Sequence, residues 1–184
     1  MEIEVRAEAP ADSAEVHAVI AAAFDDETVA VLWEDLAVRP QAASFVAVID
    51  GAIVGHVGLS LGWVDSRERV VDVSVLSPLS VQPEYQRQGV GSALVAKAIE
   101  AADSLGWPAL FLEGDPDYYM RFGFEAAAKH GFTPPSPRIP PPGFQCVLLS
   151  TYQPSVAGPV VISDTFWVHD RVGVRGELLE LFGL

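Results

Sequence analysis

The run VVDVSVLSPLSV, Val70 to Val81, is followed almost at once by YQRQGVGSALVAKAIEAADSLG, Tyr85 to Gly106. The first stretch is apolar enough for a buried strand, and the second repeats apolar residues at helical spacing. Two glycines, Gly89 and Gly91, stand at the mouth of that helix, although a glycine inside a helix costs about 1 kcal/mol against alanine. Three anion-cradling patterns compete for the turn. A dinucleotide fingerprint needs a third glycine where Leu94 stands, and a phosphate-binding Walker loop needs Gly-Lys-Ser/Thr, which does not occur. A compact Q-x-x-G-x-G turn remains, Gln86 to Gly91. The first amides of a helix have no internal partner and carry the positive end of its dipole, and glycines leave them uncovered. From the turn alone, a ligand cradle and an empty tight turn both stay open.

The rest of the chain places this unit. Ile3 to Arg6 is a short strand candidate, and Asp12 with Glu15 offers a capping box for a helix through Phe24. A second helix is expected over Thr28 to Leu36. Phe45 to Ile49 and Ile53 to Leu61 flank Asp50-Gly51, a type I′ hairpin signal. Pro78 cannot donate to a ladder, so the Val70–Val81 strand should bulge or splay there. In the following helix Leu94, Val95, Ala98, Ile99, Ala102 and Leu105 keep helical spacing, and Gly106 suits its end. Ala109 to Glu113 reads as a short buried strand, Tyr118 to Phe122 as one or two helical turns ending at Gly123, and Phe144 to Leu149 as a closing strand. The proline-rich Thr133–Gly143 reads as a constrained loop, with a polyproline ligand as the alternative. After Tyr152 the pattern weakens until a terminal helix candidate at Glu177–Leu184. The predicted fold class is α/β, or α+β, with a mixed sheet.

The 184 residues suit one domain with a full core. Eleven Lys and Arg against 25 Asp and Glu give a formal charge of −14. Scattered basic residues exclude a phosphate-tracking surface, so no nucleic-acid partner is expected. An acidic surface either serves solubility or steers cationic substrates such as amines. No apolar run approaches the roughly 20 residues of a membrane span, and MEIEVRAEAP lacks the basic and apolar regions of a signal peptide, so a cytoplasmic location is expected. The single Cys146 excludes an internal disulfide. His17, His130 and His169 share no metal-ligand spacing, so no metal is predicted.

SVLSPLSVQPEYQRQGVGSALV followed by LFLEGDPDYYMRFGFE resembles the GCN5-related N-acetyltransferase (GNAT) superfamily. Gln86, Gly89 and Gly91 match its [QR]-x-x-G-x-[GA] loop. Tyr119, Gly123 and Phe124 match its second signature, Tyr-x-x-x-Gly-Phe. The wording GDPDYYMRFGF looks closest to a bacterial subgroup of predicted N-acetyltransferases. The resemblance covers residues 1 to 150, with 151–184 as an extension packed on that domain or on a second subunit. It implies a splayed central strand and acetyl-CoA as co-substrate.

The resemblance also implies site roles. Leu79, Ser80 and Val81 would present the open strand edge to the pantetheine arm. The amides of Arg87, Gln88, Gly89, Val90, Gly91 and Ser92, next to Gln86, would hold the diphosphate, with the Arg87 side chain adding charge. Val81 N–H would polarise the thioester carbonyl, and Tyr119 would protonate the departing thiolate. The general base is less legible. His56, within IVGHVGLS, has a suitable intrinsic pKa, but a lone histidine in an apolar strand is commonly a core residue. Glu113 stands where the family usually carries asparagine, and it or Asp115 could bind the substrate ammonium, relay a proton through water or cap the next turn. The predicted reaction is acetyl transfer from acetyl-CoA to a primary amine by direct attack, on a small-molecule or peptide acceptor. The alternative is a non-catalytic acyl-CoA-binding module or sensor, and a homodimer through Glu177–Leu184 is an open expectation.

Overall fold

A computed structural model describes residues 2–183, which fold into two compact units, Met1–Ser60 with Leu76–Ala101, and Leu61–Val75 with Ala102–Leu184. Two long strands, β3 (Ala52–Asp65) and β4 (Val70–Val81), each contribute to both.

In the first unit, β1 (Glu4–Ala7) pairs antiparallel with β2 (Ala43–Ile49), and β2 with β3. The β2–β3 hairpin turns on Asp50 and Gly51, both at positive φ (50° and 82°) as a type I′ turn requires. Helices α1 (Ser13–Phe24) and α2 (Glu27–Ala37) precede β2, and α3 (Val90–Ser104) follows β4. Two glycines of β3 set the distances to these helices. A Cβ on Gly55 would stand 2.9 Å from both Leu94 Cδ1 and Val90 Cγ1, whereas one on Gly58 would stand 2.3 Å from Trp33 Cζ3. Residues 55 and 58 face opposite sides of a strand. Thus α3 packs on one face of β3 and the Trp33 indole of α2 on the other.

Asp12 does not cap α1 in the predicted manner. Its carboxylate receives Arg6 Nη1 at 2.6 Å and Ala9 N–H at 2.7 Å, so it closes a preceding 3-10 turn and α1 begins at Ser13. The second helix is capped by Asp26, whose side chain accepts Thr28 N–H at 2.9 Å. Leu105 falls beyond the end of α3 and is 57 % exposed, so it does not continue the helix's apolar face. Gly106, at φ 80°, ends the turn as predicted.

In the second unit, β4 pairs in parallel with β5 (Ala109–Glu113) at Ser74–Leu110 and Val75–Phe111. Beyond β5 lies β8 (Phe144–Leu148), then β6 (Glu125–Ala126), both antiparallel to their neighbours. Helix α4 (Pro116–Tyr119) passes into a 3-10 turn over Met120–Phe122 that ends at Gly123, φ 86°. The proline-rich loop is anchored by Ile139, which is 2 % exposed. Strand β9 (Gly158–Val161) has no alternating signal in the sequence. It pairs with β3 at Trp63–Val161 and with β7 (Phe132–Thr133) at Phe132–Gly158. Short helices α5 (Thr165–Val168) and α6 (Glu177–Leu181) follow. The terminal helix therefore ends at Leu181, and Leu184 lies outside the described residues.

Candidate active site

The turn after β4 is fastened by its own side chains. Gln82 N–H donates to Val54 O at 2.9 Å, Gln86 Nε2 to Val81 O at 3.1 Å and Gln88 Nε2 to Glu84 O at 2.6 Å. Gln86 and Gln88 thus shape the loop, and their side-chain amides are committed to backbone carbonyls. Arg87 (φ 59°) and Gly89 (φ 93°) take the left-handed backbone that redirects the strand into α3. The α3 ladder opens with Ala93 N–H to Gly89 O at 3.0 Å, which leaves the amides of Val90, Gly91 and Ser92 ahead of the first helical bond. Residues 86–89 are exposed. A Cβ on Gly89 would meet only Ile3 Cδ1, at 3.8 Å, so this corner is open and glycine is required there by φ. On β4, Leu79 and Val81 keep partial exposure while Ser80 is buried, and no protein atom hydrogen-bonds Ser80 Oγ among the described residues.

His56 lies on β3 beside this strand end, since Gly55 abuts Ser80 O and Gly58 abuts Ser77 O. It is fully buried, with its ring 4.9 Å from that of Trp33. Its Nε2 stands 3.3 Å from Glu8 Oε2. Burial, the largest influence, holds the imidazole below its ordinary pKa against the pull of Glu8. Burial also opposes the charge of Glu8, but His56, the Ser44 hydroxyl and the Trp33 indole outweigh it and keep that carboxyl below its usual range. Glu8 carried no signal in the sequence. It reaches His56 only through the register that sets Arg6 against Val46, and Val46 against His56.

In the second unit Tyr119 is seated by a glycine. A Cβ on Gly114 would stand 2.5 Å from Tyr119 Cε2 and 3.1 Å from Cδ2, and Gly114 is held by its N–H to Gly143 O and its carbonyl to Gln145 Nε2, each 3.0 Å. Tyr118 and Phe124 flank the ring at 4.8 and 5.7 Å between centroids. Burial above all, with Tyr118 and Asp115, pushes the phenol well above its ordinary pKa, so it keeps its proton. Glu113 Oε2 accepts Gly173 N–H at 3.0 Å. Burial pushes this carboxyl up to about 7, against the stabilising Gly173 amide, Arg138 and Arg175. Those arginines also reach Asp170, at 2.6 and 3.1 Å. Asp115 caps α4 by accepting Asp117 N–H at 2.9 Å. Cys146 is buried, and its thiol is pushed up to about 12 by burial, which leaves it inert as a nucleophile.

A strand that hands open amides to a glycine-led helix, on a mixed sheet, is the architecture of the acyl-CoA N-acyltransferases. The acetyltransferase (GNAT) family profile matches residues 9–124, and the chain belongs to that family. It is similar to the N-acetyltransferase YjhQ of Escherichia coli, with 34 % identity across 83 % of this chain and 88 % of the relative. The crystal structure of the E. coli GNAT N-acetyltransferase YhbS in complex with CoA superposes with a TM-score of 0.83 at 28 % identity, covering 96 % of each chain. A Brucella melitensis GNAT acetyltransferase in complex with acetyl-CoA gives 0.71 at 27 % identity, covering 90 % of this chain and 98 % of that one. The protein is thus an acyltransferase by class. Among the described residues, no helix is long and apolar enough to cross a membrane.

Proposed function

We propose that the protein transfers the acetyl group of acetyl-CoA to a primary amine by direct attack. The observation that carries this reading is the open row of amides ahead of Ala93, on a turn whose glycine is demanded by φ and where a Cβ on Gly89 would meet only Ile3 Cδ1, at 3.8 Å. Those amides, with the α3 dipole, suit a diphosphate, and similar folds have been solved with CoA and acetyl-CoA. Leu79, Ser80 and Val81 are read as the edge that pairs with the pantetheine arm, and the Val81 amide as the donor that polarises the thioester carbonyl.

His56, which is fully buried, is read as taking a proton from the acceptor ammonium by way of water, and the neutral nitrogen attacks the acetyl carbon. As the C–S bond breaks, Tyr119 gives its proton to sulfur and recovers one from the nitrogen of the adduct. A positioned acid of this kind contributes about 10²–10⁴ in rate. Glu113, engaged by the Gly173 amide, is read as the tether of residues 151–184 and not as the base.

Calorimetric titration with acetyl-CoA, followed by thiol release over a panel of primary amines, tests the proposal. Micromolar binding and steady release are expected, and Tyr119→Phe should lower kcat about 10²-fold with coenzyme affinity unchanged. Binding without release from any amine would make the chain an acyl-CoA sensor, and absence of binding would end both readings.

A further inference from the structure

His56 presents two imidazole nitrogens, and neither has a hydrogen-bond partner among the described residues; nor does Glu8 Oε2, although Nε2 stands 3.3 Å from it. Buried polar groups in folded proteins are nearly always paired, so an unpaired imidazole facing an unpaired carboxylate oxygen calls for a reason. Packing alone gives none, because an apolar side chain of similar size would fill the position without a buried carboxylate facing it or an Nδ1 left unpartnered. The surroundings are built to hold the carboxylate. Glu8 N–H donates to Ser44 O at 3.0 Å, and the Ser44 hydroxyl and Trp33 indole help His56 to hold the Glu8 carboxyl below its usual pKa range. The Trp33 ring reaches this place only because Gly58 has no side chain. His56 shares its face of β3 with Gly58, which abuts Ser77 O of β4.

We propose that Glu8 is the positioning residue for the proton acceptor of the reaction: it turns Nε2–H of His56 toward its own carboxylate and leaves Nδ1 as the lone pair that receives the proton. This rests on the acetyltransferase reading above. In the step, one proton of the acceptor R–NH3+ reaches the buried Nδ1 by way of water, leaving R–NH2 and an imidazolium whose charge the Glu8 carboxylate compensates. The nitrogen–carbon bond then forms, the C–S bond breaks, and His56 later releases its proton to solvent. Fixing a tautomer through the second ring nitrogen is how carboxylate–histidine pairs act elsewhere. Glu8 is the ionisable group that faces His56; Trp33 and Ser44, the other polar side chains of the cluster, are neutral.

The test uses the full-length chain labelled with 15N, without coenzyme. The His56 resonances are identified by their loss in His56→Gln and followed from pH 4 to 9. The wild-type chain should carry its neutral-state proton on Nε2, a result that needs no variant. In Glu8→Gln the His56 titration should move at least one pH unit lower, tenfold in proton affinity. With the fastest amine of the panel, kcat should fall at least tenfold while KM for acetyl-CoA stays within twofold, and the acidic limb of kcat against pH should move with the NMR titration. A proton on Nδ1, an unmoved titration, or a changed melting temperature with an unchanged pH profile would each overturn the proposal. Failure of the wild-type protein to bind acetyl-CoA would instead remove the acetyltransferase reading, and the NMR result would stand separately.

Discussion

Replacing Gly114 with alanine perturbs Tyr119 without touching it chemically. Gly114 has no left-handed φ, so alanine suits its backbone and the change is steric alone. The new methyl would sit 2.5 Å from Tyr119 Cε2, where ordinary contact begins at 3.4 Å, so the ring must withdraw by about 1 Å. The backbone cannot yield cheaply, because both polar groups of Gly114 are bonded, one to the buried Gln145. Nor can the ring rotate freely between Tyr118 and Phe124. Overpacking of this kind costs about 1–3 kcal/mol, and a 1 Å displacement of a catalytic group costs on the order of 10²-fold in rate. We expect kcat to fall about 10²-fold in steady-state thiol release, with KM for acetyl-CoA unchanged. The double variant Gly114→Ala, Tyr119→Phe should be no slower than Tyr119→Phe alone, since the methyl acts only by displacing the phenol. A wild-type kcat in Gly114→Ala, or additive losses in the double variant, would refute the assignment of Tyr119 as acid.

Two further outcomes concern stability. Glu113 rises from an ordinary 4.5 to about 7 in the fold, chiefly by burial, among the Gly173 amide, Arg138 and Arg175. A raised carboxyl contributes stability that is complete below pH 4.5 and lost as pH climbs through 7, at most roughly 3 kcal/mol. Glu113→Gln, which keeps an acceptor for Gly173, should match the wild-type melting temperature near pH 4.5 and exceed it by roughly 6 °C or more at pH 8; equal curves at both pH values would refute this. Ending the chain after Ser150 should prevent folding, as judged by circular dichroism. It removes β9 and the buried Val156, Val160, Ile162, Phe166, Val172 and Val174. At about 1.5–3 kcal/mol for each large side chain buried, that loss rivals the whole stability of a domain, and a folded 1–150 fragment would contradict it.

What could be read from the chain alone was local. The β4–turn–α3 unit, the type I′ turn at Asp50-Gly51 and the end of α3 at Gly106 each depend on φ preferences and on spacings of a few residues, which are written directly in the order of side chains. Gln86, Gly89 and Gly91 stood out for the same reason, whereas Tyr119 was singled out only by its match to the family's Tyr-x-x-x-Gly-Phe signature. Even there, the sequence misjudged the detail that depended on a distant partner: Asp12 left its expected cap because Arg6 of the neighbouring strand claimed its carboxylate. Strand β9 was invisible because four residues containing Gly158 and Pro159 have no strand signal until β3 and β7 offer them edges.

Which side chains surround the chemistry was decided by strand register and close packing. Glu8 and His56 are 48 positions apart in the sequence and meet because β1, β2 and β3 hydrogen-bond in that order. Gly114 matters because Tyr119 folds back over it, and Glu113 is occupied because Gly173 reaches it from sixty residues away. Backbone turns follow from neighbours along the chain, so residue order determines them. The charge state of a buried carboxyl or imidazole follows from what the fold packs against it, and only the tertiary structure supplies that.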